Sequence, residues 1–522
     1  MSINKYPLSS QNQAIARWAT TIGLATLVSR ILGFIRDVII ARLFGVYLTA
    51  QAFVIAFRIP NLFRDLVGEG ASNAAIVPVL SEYSLKHSKD EFWELVNILL
   101  NFLLVILSAI TILGIIFSPL IVRLIAPGFI GSADKLQATI NLNRVIFPYI
   151  LLIGLSVYAM AVLNSLKSFT ISAFAPCCLN IAIIVCALFF GEGTTGLASG
   201  VLLGGILQLA VQVPILYKKG FRLKFILNFK HPAVMQIKKL MLPRLASSSI
   251  YQLNNFVDSI FGSLAAIVGD GGVAVLYFSY RLIQFPIGIF SNAIAQAILP
   301  TFSTQVLEEN QDNLKQTLSW GIRIVFFVML PVSALFMVLA GPIVSNLFGG
   351  GKFDLNSARL TSNALFFYSI GLTAYGGTKI LQSCFFALKD TLTPTKISGL
   401  ALLMNVVLNA ALMFPLKIGG LALATSISSI VSFLLLFFIL SKRLSGFGER
   451  AILRSFFRIL IATLCMAAVG FLVNRSLNFG WAIICSVLAY IFFCFVFGVV
   501  EFTQLLHWLM RKDLKTSLWN RH

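Results

Sequence analysis

The sequence predicts an all-α polytopic membrane protein of about 14 transmembrane helices: two six-helix lobes related by an axis along the membrane normal, plus two C-terminal helices. Three observations predict it. The first is composition, since the 522 residues are 58% hydrophobic and only 11% charged, with a mean hydropathy of +0.90. An average soluble domain is about 25% charged, and no soluble core of this length could bury so much apolar side chain, whereas one spanning helix takes about 20 apolar residues. The second is an internal echo. Asp37 and Asp258, Arg58 and Arg281, Pro78 and Pro300, Pro119 and Pro342, and Lys167 and Lys389 all fall about 222 residues apart, which reads as a duplication. Each copy holds an even number of spans, so both copies enter the membrane from the same side. The third is the uneven distribution of the 40 Lys and Arg residues among the loops.

The first span, 20–44, follows a polar stretch (1–17) and contains "LVSRILGFIRDVIIARLFG". No short apolar core with a small-residue cleavage site precedes it, so it is read as a retained helix. The second, 47–66, closes in the polar "RDLVGEG". The third, 93–118, opens on Trp93 and stops at Pro119; 140–164 stops before "SLKS"; 171–190 ends in "GEG"; and 196–217 ends at Lys218 and Lys219. After a basic linker the order repeats with 241–267, 273–298, 320–347, 363–388, 394–414 and 418–440. The pair 455–474 and 481–506 has no counterpart in the first half. Trp93, Trp320, Trp481 and Trp508 stand at span ends, where indole rings favour the membrane interface. The chain thus divides into an N-terminal lobe (1–217), a cytoplasmic linker with a C-terminal lobe (218–440), and two additional helices with a cytoplasmic tail (441–522).

With both termini in the cytoplasm, the opposite side takes only Arg123, Lys135, Lys352, Arg359, Lys417 and Arg475 outside the spans, as the inward bias of basic residues requires. Segments 217–240 and 441–458 carry most of that bias. Topology alone accounts for both, and both also suit anionic headgroups. The net charge of +21 therefore names no nucleic-acid partner.

Charge inside the spans is harder to dismiss, because each ionised side chain at mid-membrane costs about 2.5–3.5 kcal/mol on insertion scales. The first span carries Arg30, Arg36, Asp37 and Arg42; the second adds Arg58, with Arg64 and Glu69 at its cytoplasmic mouth; the second lobe places Arg281 in "YFSYRLIQFP". Arg30 and Arg36 fall about 120° apart on a helix, so a bend at Gly33 is the expected way to line one cavity with both. Asp37 can pair with an arginine and offset part of its desolvation cost. Guanidinium forks bind phosphate oxygens bidentately, which points to an anionic substrate such as a phosphate or diphosphate held by Arg30, Arg36 and Arg281. Structural pairing or snorkelling accounts equally well for Arg58, Arg144 and Arg323, and better for Arg42. Asp258, the echo of Asp37, is an ion- or proton-coupling candidate or a carboxylate bonded to Asn254 or Asn255.

No enzyme is expected. The four histidines (His87, His231, His507, His522) show no metal-ligand spacing, there is no phosphate-cradling P-loop, and the seven cysteines lie in apolar runs as small hydrophobes. No cofactor is called for, although membrane potential or a coupling ion could drive transport.

"SRILGFIRDVIIARLFG" (29–45) and "AFRIPNLFRDLVGEGASNAAIVPVLSEY" (56–83) resemble the MurJ (MviN) family of lipid II flippases. The likeness continues through "APGF" (126–129), "FPYILLIGLS" (147–156), "RLIQFPIGI" (281–289) and "ILPTFS" (298–303). It implies the fold of the multidrug/oligosaccharidyl-lipid/polysaccharide (MOP) exporter superfamily with two extra helices, in a bacterial cytoplasmic (inner) membrane. It also implies movement of lipid II, undecaprenyl-diphosphate carrying the peptidoglycan disaccharide-pentapeptide, to the outer leaflet by alternating access, with membrane lipids and other cell-wall synthesis proteins as further partners. By position, Arg36, Asp37 and Arg281 match the family's diphosphate group, Arg30 and Arg64 its other cavity arginines, Arg58 a common lysine, and Glu69 the acid of the "EGA" turn. The chain departs at "TAQAF" (49–53), where many members read "TDAF", and lacks acidic residues near Tyr280 and Gln284; both changes weaken any coupling role for those carboxylates. The rivals are a cation-coupled multidrug exporter or another lipid-linked oligosaccharide exporter of the superfamily, a non-transporting cell-wall scaffold, and an integral-membrane transferase.

Overall fold

The computed structural model describes residues 10–64, 75–191, 193–226, 228 and 231–504. Among these the backbone is mainly helical, apart from turns, an irregular stretch from Phe221 to Ile226 and one isolated bridge between Gly350 and Phe353. Among the described residues, nine helices are long and apolar enough to cross a membrane. One of them, Leu392–Leu444, is broken at Lys417 (φ 51°, ψ −128°), just after Pro415. Gly420 lies so close to the Leu412 carbonyl that a Cβ there would sit 2.1 Å from it, so the chain doubles back and supplies two of the expected spans.

The other four expected spans also form helices, but shorter or more charged ones. Ser10–Phe44 carries the arginines of the first span, Leu48–Arg64 has 17 residues, Pro232–Gly262 carries Lys238, Lys239 and Asp258, and 363–388 is split between Leu355–Ile370 and Leu372–Ala387.

The helices group into two compact units, residues 1–265 with 350–353, and residues 266–349 with 354–522. In the first unit the Ser10–Phe44 helix packs along Phe169–Phe190, which in turn packs along Thr194–Ala210. That last contact is built on glycine. A Cβ at Gly200 would lie 2.7 Å from the Ile183 Cα, and one at Gly204 would lie 2.9 Å from the Leu179 Cα. Small residues four apart let two backbones touch, the main source of helix association where lipid is as apolar as the side chains. In the second unit Gln311–Val338 packs against Asn292–Leu307, Leu372–Ala387 and Glu449–Ser476. The C-terminal helices are tied to it by Tyr490, whose hydroxyl donates to the Phe327 carbonyl (2.7 Å), and by the Arg323–Glu501 ion pair (3.1 Å).

The sequence echo reappears as repeated local geometry. Lys89–Ile116 and Gln311–Val338 are both 28 residues long, with side-chain caps from Ser88 and Asn310. Lys167 and Lys389 both take left-handed backbone (φ 57° and 59°). Each ends a helix with the same bonds: Lys167 N–H to Asn164 O and Ser168 N–H to Leu163 O, Lys389 N–H to Phe386 O and Asp390 N–H to Phe385 O.

Candidate functional site

Arg36 and Asp37 are the two charged side chains of the first helix that are buried, at 4% and 1% exposure. Arg36 donates from Nε (3.0 Å) and Nη2 (2.7 Å) to one Asp37 oxygen, Oδ1. Its Nη1 donates to Oδ1 of Asn180 (3.1 Å) on Phe169–Phe190. Asn180 also donates from Nδ2 to the Ser29 carbonyl (3.1 Å), and Gly33 lies against it, 3.7 Å from where its Cβ would be. One amide therefore clamps two helices and orients the guanidinium. The plane of Arg36 sits over Phe57 (5.9 Å), which stacks on Phe53 (5.3 Å) and tilts against Tyr149 (5.9 Å). An aromatic floor of this kind lowers the local dielectric and strengthens every charge interaction above it.

The surrounding charges are spread along the unit. Arg58, half-buried on Leu48–Arg64, donates from Nη1 to the Asn255 carbonyl of Pro232–Gly262. Asp258 lies half-buried on that same helix, three residues on. Arg64 is half-buried at its helix end, and Arg30 and Arg42 are exposed. The first helix runs from Ser10 to Phe44 without a break at Gly33, so Arg30 stays on a different face from Arg36 and the expected bend is not seen. Glu69 lies outside the described residues.

In the second unit, Arg281 is half-buried on Gly272–Pro286. Its own helix cradles it. Nη2 donates to the Tyr277 hydroxyl (3.0 Å), Nη1 to Oε1 of Gln284 (3.1 Å), and its guanidinium lies 5.0 Å from the Tyr277 ring centre. The Tyr277 hydroxyl and ring and the Gln284 amide fix where the guanidinium sits on its helix.

Two of these partners were not singled out in the sequence as holding an arginine. Tyr277 stands one turn before Arg281, a spacing that a helical reading could have caught. Asn180 had one signal only, a lone amide in the apolar run "CCLNIAI".

The family model for lipid II flippase MurJ matches residues 40–492. A Buchnera aphidicola (subsp. Schizaphis graminum) protein described as "Probable lipid II flippase MurJ" is 37% identical over 451 residues, covering 85% of this chain and 87% of its own. The lipid II flippase MurJ of Burkholderia cenocepacia is 32% identical, with 88% and 90% covered. Among solved structures, lipid II flippase MurJ in an inward closed conformation superposes with a TM-score of 0.79 at 26% identity, covering 93% of this chain and 99% of that one. An inward-facing multidrug resistance MATE family transporter of the MOP superfamily gives 0.67 at 18% identity over 81% and 96%, a likeness of fold.

Proposed function

The chain belongs to the lipid II flippase MurJ family, and on that premise we propose that it moves lipid II from the inner to the outer leaflet of the bacterial cytoplasmic membrane by alternating access. It is a multi-pass membrane transporter, not an enzyme. The observation that carries the reading is the family match over residues 40–492, which runs through both compact units.

The barrier to flipping is desolvation of an anionic headgroup, for which buried charge without partners is prohibitive. Arginine donors replace the lost water. Arg36, preoriented by Asp37 and Asn180, offers the first fork, and Arg281, oriented by Tyr277 and Gln284, offers a second. A diphosphate displaces Asp37 as acceptor of the Arg36 fork, so the carboxylate holds the site ready without neutralising it for good. Arg58 and Arg64 add cations in the same unit as Arg36, Arg30 contributes only if the first helix bends during the cycle, and Asp258 serves as the coupling carboxylate if a cation or proton takes part. Both termini lie in the cytoplasm.

The test is leaflet accessibility of labelled lipid II in cells depleted of their own flippase and supplied with this chain, Arg36→Ala or Arg281→Ala. The intact chain is expected to expose lipid II outside and both variants to fail while remaining inserted. Exposure by all three would remove the arginines from the mechanism, and exposure by none would remove lipid II as the substrate.

A further inference from the structure

The stretch 217–240 holds Lys218, Lys219, Arg222, Lys224, Lys230, Lys238 and Lys239 and no acidic residue. Part of it has an unusual conformation for a linker. After the short helix Val213–Lys218 the chain turns at Gly220 (φ 108°), packed against Trp93, and runs without helix from Phe221 to Ile226. There it lies along the helix Lys89–Ile116, held by two of that helix's asparagines one turn apart. Asn97 donates to the Arg222 carbonyl (3.0 Å) and accepts from the Lys224 N–H (2.8 Å); Asn101 donates to the carbonyls of Lys224 (2.8 Å) and Ile226 (3.1 Å). Asn97 thus pairs with the backbone as a neighbouring strand would.

That arrangement answers a specific problem. Asn97 and Asn101 stand one and two turns past Trp93, which opens the apolar run, and backbone groups that leave water there need partners. The two amides supply them. Phe221 and Ile226 pack inward on the apolar cluster that includes Leu95, Val96 and Leu216. The side chains between them point outward: Arg222 and Lys224 are exposed, Leu223 is 49% exposed and Phe225 is 85% exposed. Lys218, Lys219, Lys238 and Lys239 are exposed beside them. A large aromatic and a leucine flanked by cations form an amphipathic strip fitted to a headgroup layer, with apolar side chains at the acyl boundary and basic ones among phosphates.

We propose that this strap is a binding surface for anionic glycerophospholipid, in which Lys218, Lys219, Arg222 and Lys224 hold the phosphate layer and Leu223 and Phe225 enter the acyl region. Basic side chains at an anionic leaflet add to one another, so charge density at this strip, rather than any single residue, sets the affinity. The surface is separate from the Arg36 and Arg281 groups and does not depend on what those arginines carry.

The intact chain is reconstituted in vesicles of phosphatidylglycerol or of phosphatidylcholine, neither containing lipid II, and treated with trypsin. Cleavage after Arg222 and Lys224 is expected to be about tenfold slower in phosphatidylglycerol, with the protection lost in high salt. Equal cleavage in the two lipids overturns the proposal, and so does protection that appears only when lipid II is added. In detergent, mass spectrometry of the Lys218→Gln/Lys219→Gln/Arg222→Gln/Lys224→Gln variant is expected to show about tenfold less retained phosphatidylglycerol than the parent chain, and Phe225→Ser a smaller loss. Undiminished retention in a folded quadruple variant overturns it as well. The trypsin comparison uses the unaltered chain, so it stands even if that variant does not fold.

Discussion

Arg36 and Asp37 are adjacent in sequence, yet they bond through two donors to one oxygen, and that closeness separates a structural role from a substrate role. Removing one member of a buried pair leaves an uncompensated charge and costs about 3–5 kcal/mol, whereas replacing both costs far less. Arg36→Gln and Asp37→Asn are therefore each expected to lower the thermal unfolding temperature in detergent, and the double variant to recover most of the loss. Lipid II exposure should stay absent in the double variant, because its donor fork is gone; recovery of exposure with stability would make Arg36 a structural residue only. A second carboxylate allows a pH test outside the membrane. Asp390 accepts from the Thr393 N–H (3.0 Å), the Thr393 hydroxyl (2.8 Å) and Arg443 (2.7 Å). Chiefly the backbone bond from Thr393, with help from its hydroxyl and Arg443, holds its carboxyl below the ordinary 3.8. A depressed folded value stabilises the protein above the unfolded value and loses that effect as pH falls through the folded one. The stability gap between the parent chain and Asp390→Asn should thus be present at pH 7, about 1 kcal/mol or less for a site this exposed, and shrink below pH 3.8. A gap that grows on acidification would contradict it. The pairing of Arg36 with Asp37 was legible because opposite charges stood side by side in an apolar run. The clamp by Asn180 was not, since 144 residues separate the partners and only folding brings them together.

Helices in the first unit meet through backbone as much as through side chains. Gly200 and Gly204 on Thr194–Ala210 touch the Cα atoms of Ile183 and Leu179, and Gly196 approaches the Cys186 carbonyl, where a Cβ would sit 3.0 Å away. At Gly200 the nearest atoms are the Ile183 Cα, the Ala182 carbonyl and the Cys186 Cβ, none of them the end of a flexible side chain, so a side chain added there must move a whole helix. Phe169–Phe190 is also the helix that carries Asn180, which couples this packing to the orientation of Arg36. Gly200→Leu is therefore expected to cost about 1–3 kcal/mol or more by overpacking and to impair lipid II exposure through a residue that touches no substrate. Thermal unfolding in detergent checks the first part; Gly399→Leu, with nothing within 4 Å of its Cβ position, is the control and should be near neutral. Equal stability of the two variants would refute the close-packing argument. The apolar runs announced these helices because a spanning segment needs length and hydropathy, both local properties. They did not announce the turn at Lys417 as a left-handed break inside one continuous run, since Pro415 and a charged residue mark a boundary without specifying its backbone. The glycine spacing was likewise visible, but which helix it faces is a tertiary fact.

At the scale of the whole molecule, duplication was legible because five residue pairs kept one register, and matching caps and left-handed lysines in the two units carry that register into the backbone. Three of the expected spans, 20–44, 47–66 and 241–267, hold Arg30, Arg36, Arg58 and Asp258 among them. Charge inside a span is expected where polar side chains face protein or an aqueous cavity. That charge determines how transport should respond to membrane potential. Moving one elementary charge through 100 mV is worth about 2.3 kcal/mol. In the proposed cycle, with the outside positive, the field favours outward movement of a diphosphate lipid and inward return of an emptied cationic site. Clamping the potential to zero with valinomycin and external potassium, while holding pH equal across the membrane, should slow lipid II exposure by this chain, and restoring an inside-negative potential should restore it without any proton gradient. Because "YRLIQF" and "TAQAF" lack acidic side chains, Asp258 is the remaining carboxylate singled out for coupling, and Asp258→Asn should leave the response to potential intact if the field alone drives the cycle. Exposure that ignores the potential but follows an imposed pH gradient, and loses that dependence in Asp258→Asn, would instead assign the driving force to a proton carried by this carboxylate.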